Sequence, residues 1–415
     1  MGETEIMTVF NDLMTLLGLA LNKPDLSQEY INDRLNELDD NGLEWEKLAV
    51  LAKENSVIGI LYDIFEGYDR IPADVMKAVS FYSKKLCRRN YKFLVIYTKV
   101  KEVLEKAGIQ FCILKGFAAA QDYPVPDVRK LSDLDILLPD PEALPRAKEV
   151  LEAIGFITQE EQHANHHLCM REPGGKLIEI HTMLAEPFDD AKTNAYLEKL
   201  VPECRKHIEV KKIMDVEIPV LSDAYHAFEL LMHMLQHFLL AGFGVKMLCD
   251  WVVLWNRGLS EEERGQYLEL VETSRVKGFS DAITRVCVRY LGLKRDNVLW
   301  MGLYDGKKTR DELDADTEEF AADLFEAGEF GKVKGRMVAL RGNGPFDYIR
   351  EFHHQMHINF PKAGKCFLLW PVLWVITLVR FLRNNKKVRS VSSRELFASA
   401  KKRGKLVKEM RIFER

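Results

Sequence analysis

The stretch FCILKGFAAAQDYPVPDVRKLSDLDILLPD, residues 111–140, decides how the rest of the chain is read. It continues an apolar run, Ile109–Leu114, that reads as a strand. Lys115-Gly116 follows, and then an alanine-rich segment that suits a helix. A second apolar run, Leu134–Leu138, stops at Pro139 and reads as the next strand. Two aspartates enter this run, although Asp is disfavoured in strands. Side chains two positions apart point to one face, so Asp133 and Asp135 are expected side by side. Neighbouring carboxylates repel, which disfavours ionisation of both, and a divalent cation removes the repulsion. Mg²⁺ takes a few carboxylates together with substrate phosphates.

A third carboxylate lies downstream. Leu177–His181 reads as a strand with Glu179 set between Ile178 and Ile180. A charge flanked by such residues requires a partner, and Glu179 is the natural third metal ligand. Around this set, Gly116 would let a phosphate approach the backbone, next to a helix N-terminus with free N–H groups. Lys115 adds a cation, and Arg129 is placed to pair with a second phosphate. His181 shares the strand face of Glu179. It would either contact a triphosphate or orient Glu179 by a hydrogen bond.

Outward from this block the pattern becomes helical. Val9–Leu21, Leu43–Ala52 and Val75–Leu104 carry apolar residues at steps of three and four. Residues 141–153 read as a helix within the mixed block. Phe156–Thr158, His167–Met170, His207–Lys212 and Val216–Val220 read as further strands. Ala224–Leu240, Val245–Trp255, Glu261–Ser274 and Ala282–Leu291 fit helices, and Tyr304–Thr317 is polar enough to be a loop. The expected division is an N-terminal helical region 1–94, a mixed core 95–221, a helical domain 222–360, and an apolar helix with a basic tail 361–415.

Composition narrows the function classes. The 415 residues are 47% hydrophobic and 29% charged, which excludes a disordered or collagen-like chain. The net charge of −4 gives no overall signal for nucleic acid. Seven scattered cysteines without a C-x-x-C pair argue against a disulfide framework and favour a reducing cytoplasm. The run Cys366–Val379 is too short to span a bilayer as a helix. Thirteen Lys/Arg against three Glu follow in residues 380–415. Two readings stay open: peripheral membrane contact through 366–415, or a buried helix followed by a solvated basic one. His226, His233 and His237 share one helix face, as a zinc site or as a polar seam facing a cleft. His163, His166 and His167, and His353, His354 and His357, are lesser clusters of the same kind.

Leu114-Lys115-Gly116, Tyr123-Pro124, Arg129, Ser132-Asp133-Leu134-Asp135 and Glu179-Ile180-His181 together resemble the DNA polymerase β-like nucleotidyltransferase superfamily. Within it, the chain resembles the family called uncharacterised nucleotidyltransferase. Arg146-Ala147, Ile154-Gly155-Phe156, His233…His237 and Cys249-Asp250-Trp251 fit the same family. The resemblance implies an α+β fold, with a small mixed sheet flanked by N-terminal and C-terminal helical regions. It implies an enzyme that moves an NMP from an NTP, with ATP as the expected donor, to an acceptor hydroxyl, releasing pyrophosphate. Mg²⁺ or Mn²⁺ would be held by Asp133, Asp135 and Glu179, with Glu179 helping to deprotonate the acceptor. Lys115, Gly116, Arg129, Ser132 and His181 would bind the nucleotide. The superfamily carries Gly-Ser where this chain has Lys115-Gly116, and Asp where it has Glu179. These departures motivate the alternative of a catalytically degenerate nucleotide-binding protein.

Overall fold

The computed structural model describes residues 3–159, 167–188, 190–240, 242–303, 308–327, 353, 356, 360, 366–384 and 403–414. His163, His166, His354 and His357, and most of the basic tail, lie outside the described residues.

A seven-stranded mixed sheet forms the centre, in the order β3-β4-β5-β2-β1-β7-β6. The strands are β1 Cys112–Ile113, β2 Leu134–Leu137, β3 Ile157–Thr158, β4 His167–Arg171, β5 Leu177–His181, β6 Ile208–Ile213 and β7 Val216–Leu221. β2 pairs in parallel with β5 and antiparallel with β1, and β1 runs parallel to β7. The expected first strand is shorter than its apolar run, because Ile109 and Phe111 enter the core as loop residues.

Period-two alternation divides the strand residues between two cores. Ile113, Leu134, Ile136, Ile178, Ile180 and Val220 face one layer. That layer consists mainly of helix α5 (Ala73–Lys106) and the short helix Leu144–Ala153. Cys112, Leu114, Leu137 and Leu221 face a larger helical layer on the other side. The larger layer joins α1 (Glu3–Leu21), α2 (Gln28–Asp40) and α3 (Trp45–Glu54) to α9 (Asp223–Leu240), α10 (Val245–Arg257), α11 (Glu261–Thr273) and α12 (Lys277–Tyr290), if the helices are numbered along the chain. The N-terminal and C-terminal helical regions therefore share one core rather than packing as separate bodies. α5 also runs across the expected boundary at residue 94, so the first two regions share an element.

Three segments depart from the sequence expectation. α2 is amphipathic but polar, burying only Ile31 and Leu35, so its apolar periodicity is thin. Part of the expected loop Tyr304–Thr317 is the start of helix α13 (Arg310–Ala327), where Asp311 and Glu312 favour the helix N-terminus and Phe320, Ala321 and Leu324 are buried. The apolar run after Cys366 forms a helix over Trp370–Asn384, but Phe367, Leu368, Val372 and Val375 are exposed. It is not the buried helix of the second reading. Among the described residues no helix is long and apolar enough to cross a membrane.

The end of the chain returns to the core. Leu406, Met410 and Ile412 are buried in the larger layer, and Arg403, almost wholly buried, pairs with buried Asp323 at 3.0 Å. Its Nη1 also donates to the Phe238 carbonyl. Removing one member of such a buried pair strands the other charge, which costs roughly 3–5 kcal/mol. Arg403→Met should lower the stability in urea unfolding by about that amount. A loss under about 1 kcal/mol would show that the C-terminal segment does not stabilise the fold.

Candidate active site

Asp135 and Glu179 are directly opposite in the parallel pairing of β2 and β5, and Leu137 is opposite His181. The pleat that sends Leu134, Ile136, Ile178 and Ile180 into one core turns Asp135, Glu179 and His181 to the other face. The register alone therefore brings two carboxylates and an imidazole together. Among the described residues, a ligand atom from each of Asp135, Glu179 and His181 lies within 4.8 Å of the other two. Asp133 stands one residue before β2 and is not in this trio. Its carboxylate accepts the Ser132 hydroxyl at 2.9 Å. It lines the same cavity, of about 290 Å³, as Asp135, Glu179, Lys115 and Gly116.

Asp135 is 4% exposed and accepts Lys115 Nζ at 2.8 Å. His181 Nε2 lies 2.9 Å from the same oxygen. Burial by itself would raise the pKa of Asp135, but Lys115 and the His181 hydrogen bond outweigh it and hold the carboxyl well below its ordinary range. Glu179 has no such cation in contact. Burial and the Asp135 charge push it up to about 7. Burial and then Asp135 raise Asp133 as well. Burial and then Lys115 lower the pKa of His181, against the hydrogen bond to Asp135. The site thus carries one firmly ionised carboxylate and two that resist ionising beside it, which is the expected signature of repelling carboxylates.

Lys115 reaches Asp135 because its backbone takes φ +50°, in the left-handed region. For a non-glycine residue this costs on the order of 1–3 kcal/mol. Glu229 of α9, fully buried, accepts the Lys115 backbone N–H at 3.3 Å and fixes that turn. Gly116 also serves the packing of the loop. A Cβ here would lie 2.8 Å from Arg129 Nη1, so its missing side chain makes room for the guanidinium.

Arg129 departs from expectation. It is buried, and its Nε and Nη2 form a bidentate pair with Asp250 of α10 at 3.1 and 2.6 Å. Its Nη1 donates to the Lys130 carbonyl, and the Tyr123 hydroxyl donates to Asp250 at 2.7 Å. Its charge is therefore spent on tying the loop before Ser132 to the helical layer. Asn90 of α5 holds the other side of that loop, donating to the Asp127 and Arg129 carbonyls at 2.7 Å each.

His233 and His237 stack edge to face, 4.6 Å between centroids, on the cavity wall. Burial and then Lys115 push His237 down to about 4 and hold His233 well below its ordinary value. The Asp135, Glu179 and His181 trio does not include them; they form part of the cleft wall beside it. A smaller cavity of about 170 Å³ adjoins the first and shares Lys115, Glu179, His233 and His237 with it. Sequence reasoning missed the roles of Glu229, Lys246 and Asp250. Glu229 and Asp250 each interrupt an apolar helix, in AFELLM and LCDWVV, which is the signal that marks them.

The model of the family described as uncharacterised nucleotidyltransferase matches residues 41–292. The chain belongs to this family. The matched residues include the whole sheet, α5, α9 to α12 and every residue of the carboxylate cavity, but not α1 or α2. Two solved structures are similar in part. One is the lincosamide antibiotic adenylyltransferase LnuA bound to lincomycin, at 15% identity and TM-score 0.24, over 43% of this chain and 95% of that one. The other is an antigenic nucleotidyltransferase-like protein from Paracoccidioides brasiliensis, at 16% identity and TM-score 0.29, over 48% and 92%. No curated protein sequence matches.

The nucleotidyltransferase fold keeps Glu229 neutral, because burial pushes its pKa up to about 8. Folding then takes up a proton wherever the unfolded chain has lost it. Stability from this group therefore falls as pH rises from about 4.5 towards 8. Glu229→Gln is neutral at every pH. Its melting temperature should gain on the wild type steadily between pH 5 and pH 8. A constant difference over that range would mean that Glu229 is ionised in the fold.

Proposed function

We propose that this chain is a Mg²⁺-dependent nucleotidyltransferase that transfers an NMP from an NTP, with ATP as the first candidate, to an acceptor hydroxyl and releases pyrophosphate. The observation that supports it most is the opposition of Asp135 and Glu179 across β2 and β5 beside Asp133 in one cavity. The donor set fits the metal: carboxylate oxygens suit Mg²⁺ or Mn²⁺, and the mutual repulsion of these three gives a cation something to relieve. Asp133, Asp135 and Glu179 would hold it, and when bound it supplies charge neutralisation at the transferred phosphate.

The residues of the chain divide the remaining work. His181, already bonded to Asp135, orients that carboxylate rather than ligating. Lys115 and Lys246 line the cavity and face the triphosphate as cations. Ser132 offers its hydroxyl to a phosphate. Arg129 acts through Asp250 by fixing the strand entry that carries Ser132 and Asp133. Leu230, Phe243 and Met247 offer an apolar wall for the base. Glu179 belongs to both cavities, so it can take the proton of a hydroxyl that enters from the smaller one.

Thermal unfolding with each NTP, with and without Mg²⁺, tests the reading. Binding to the native state raises the apparent stability by mass action. A Mg²⁺-dependent rise with at least one NTP is expected, lost in Asp133→Ala/Asp135→Ala. Release of pyrophosphate from that NTP should fall at least 100-fold in the same variant. Nucleotide-dependent stabilisation with no detectable transfer to any acceptor would favour the binding-protein alternative.

The exposed apolar residues of Trp370–Asn384 favour a second property, peripheral membrane contact through this part of 366–415. Leu406, Met410 and Ile412 pack in the core and offer no apolar surface to that contact. Flotation with vesicles rich in anionic lipid should carry the protein upwards, and Val372→Glu/Val375→Glu should abolish this. Flotation unchanged by the double variant would remove the helix from the contact.

A further inference from the structure

The middle of α5 carries an unusual charge pattern. Residues 75–101 contain eight Lys or Arg and no Asp or Glu. Lys84, Arg88 and Lys92 recur at steps of four, so they form one stripe with about 6 Å between successive residues. Lys84, Lys85, Arg88 and Lys92 are exposed, and among the described residues none of them is in a salt bridge. The net charge of −4 conceals this local concentration.

The stripe is one wall of a groove of about 630 Å³. Arg89 belongs to the same wall, and Lys53, Lys130 and Lys176 come from other elements. Among the described residues no carboxylate lines the groove. The cations crowd one another: burial, and then Arg89 and Lys92, lower the pKa of Lys176. Lys176 and Arg89 both lie over the Phe93 ring, at 5.1 and 5.8 Å. Assembling like charges in a cleft costs free energy unless an anion occupies it. Phe81 belongs to the lining and is 61% exposed, with Tyr82 edge-on to it at 5.4 Å.

The groove also touches the catalytic loop. Arg89 Nη2 donates to the Ser132 carbonyl at 3.1 Å. Lys130 lines the groove, while Arg129 and Ser132 on either side line the carboxylate cavity. One short stretch of chain separates the two.

We propose that this groove is a docking surface for single-stranded nucleic acid, held by its phosphates beside the carboxylate cavity. Cations on both walls of a concave cleft match a strand that lies within it. A flat lipid surface would reach only the rim. The exposed Phe81 ring at the groove supplies a face on which an unpaired base stacks, as single-strand binders use. The proposal does not depend on nucleotide transfer, since the groove shares no side chain with the carboxylate cavity.

Fluorescence anisotropy with a labelled 20-nucleotide single-stranded RNA of mixed sequence tests it. Binding is expected in 50 mM salt and should weaken at least tenfold in 200 mM salt. Lys84→Gln/Arg88→Gln/Lys92→Gln should weaken it at least tenfold in 50 mM salt. The same variant should reduce the slope of log affinity against log salt by roughly 2, as three lost phosphate contacts require for a single strand. Phe81→Ala should weaken binding several-fold with the slope unchanged. Circular dichroism and the Mg²⁺–NTP thermal shift verify that the triple variant is folded. Asp133→Ala/Asp135→Ala should bind the RNA as the wild type does, so loss of nucleotide transfer and loss of RNA binding are separate results. The proposal is overturned if the wild type fails to bind in 50 mM salt. It is equally overturned if the triple variant binds unchanged, or if polyglutamate or anionic vesicles displace the RNA at equal charge concentration.

Discussion

An ionised carboxylate inside a protein is stable only where cations and donors replace water, and Asp135 imposes that demand at the centre of this sheet. It is met from two directions. Lys115 supplies the charge and His181 the hydrogen bond, both to one oxygen. Lys115 can do this only with a left-handed backbone, and that backbone is fixed by Glu229 from another layer. His181 can do it only because the β2–β5 register places it opposite Leu137, one pleat along from Asp135. The local strain and the buried neutral acid both follow from keeping one charge in place.

A second ion pair links this centre to the rest of the fold. Arg129 and Asp250 are both nearly inaccessible and bind through two hydrogen bonds, a geometry that fixes orientation as well as distance. Asn90 grips the same loop from the opposite layer. The loop that delivers Ser132 and Asp133 is therefore clamped between the two helical layers. A buried pair of this kind is weak evidence for net stability, since hydrophobic replacement is often neutral. What it contributes here is position. Movement of α10 would be passed to Asp133 through Asp250 and Arg129, without a change in the sheet.

How much of this could be read from the sequence depended on whether the partner was local. β5 was legible residue for residue because Leu177–His181 alternates and its turn is marked by Gly174-Gly175. That Asp133 and Asp135 share a face, and that Glu179 and His181 do, was legible from the pleat; the pairing that sets Asp135 opposite Glu179 was not. The function of Arg129 was not, because its partner lies 121 residues away. Composition identified a cation near two acids, and only the fold shows which acid takes it. The same limit applies to Gly116, whose neighbour is a guanidinium from a later loop. The start of α13 was missed for another reason, and α2 fell within the expected helical region without a periodic segment of its own. Helices on the outside of a bundle bury few residues and leave little periodicity to detect. Whole-chain charge likewise averages away an acid-free run such as residues 75–101.

The electrostatics also bear on what the two departures from the superfamily pattern do. Lys115 stands where a Gly-Ser loop would offer small hydroxyl and amide donors. Its charge neutralises Asp135, so Asp133 and Glu179 are left as the carboxylates whose ionisation an incoming cation would favour. Glu179 has one methylene more than Asp, and that extra reach carries its carboxylate towards the boundary of the two cavities. A lysine that ties up one acid is accompanied by a longer side chain on the opposite strand, and the site keeps repelling carboxylates without burying three full charges at once.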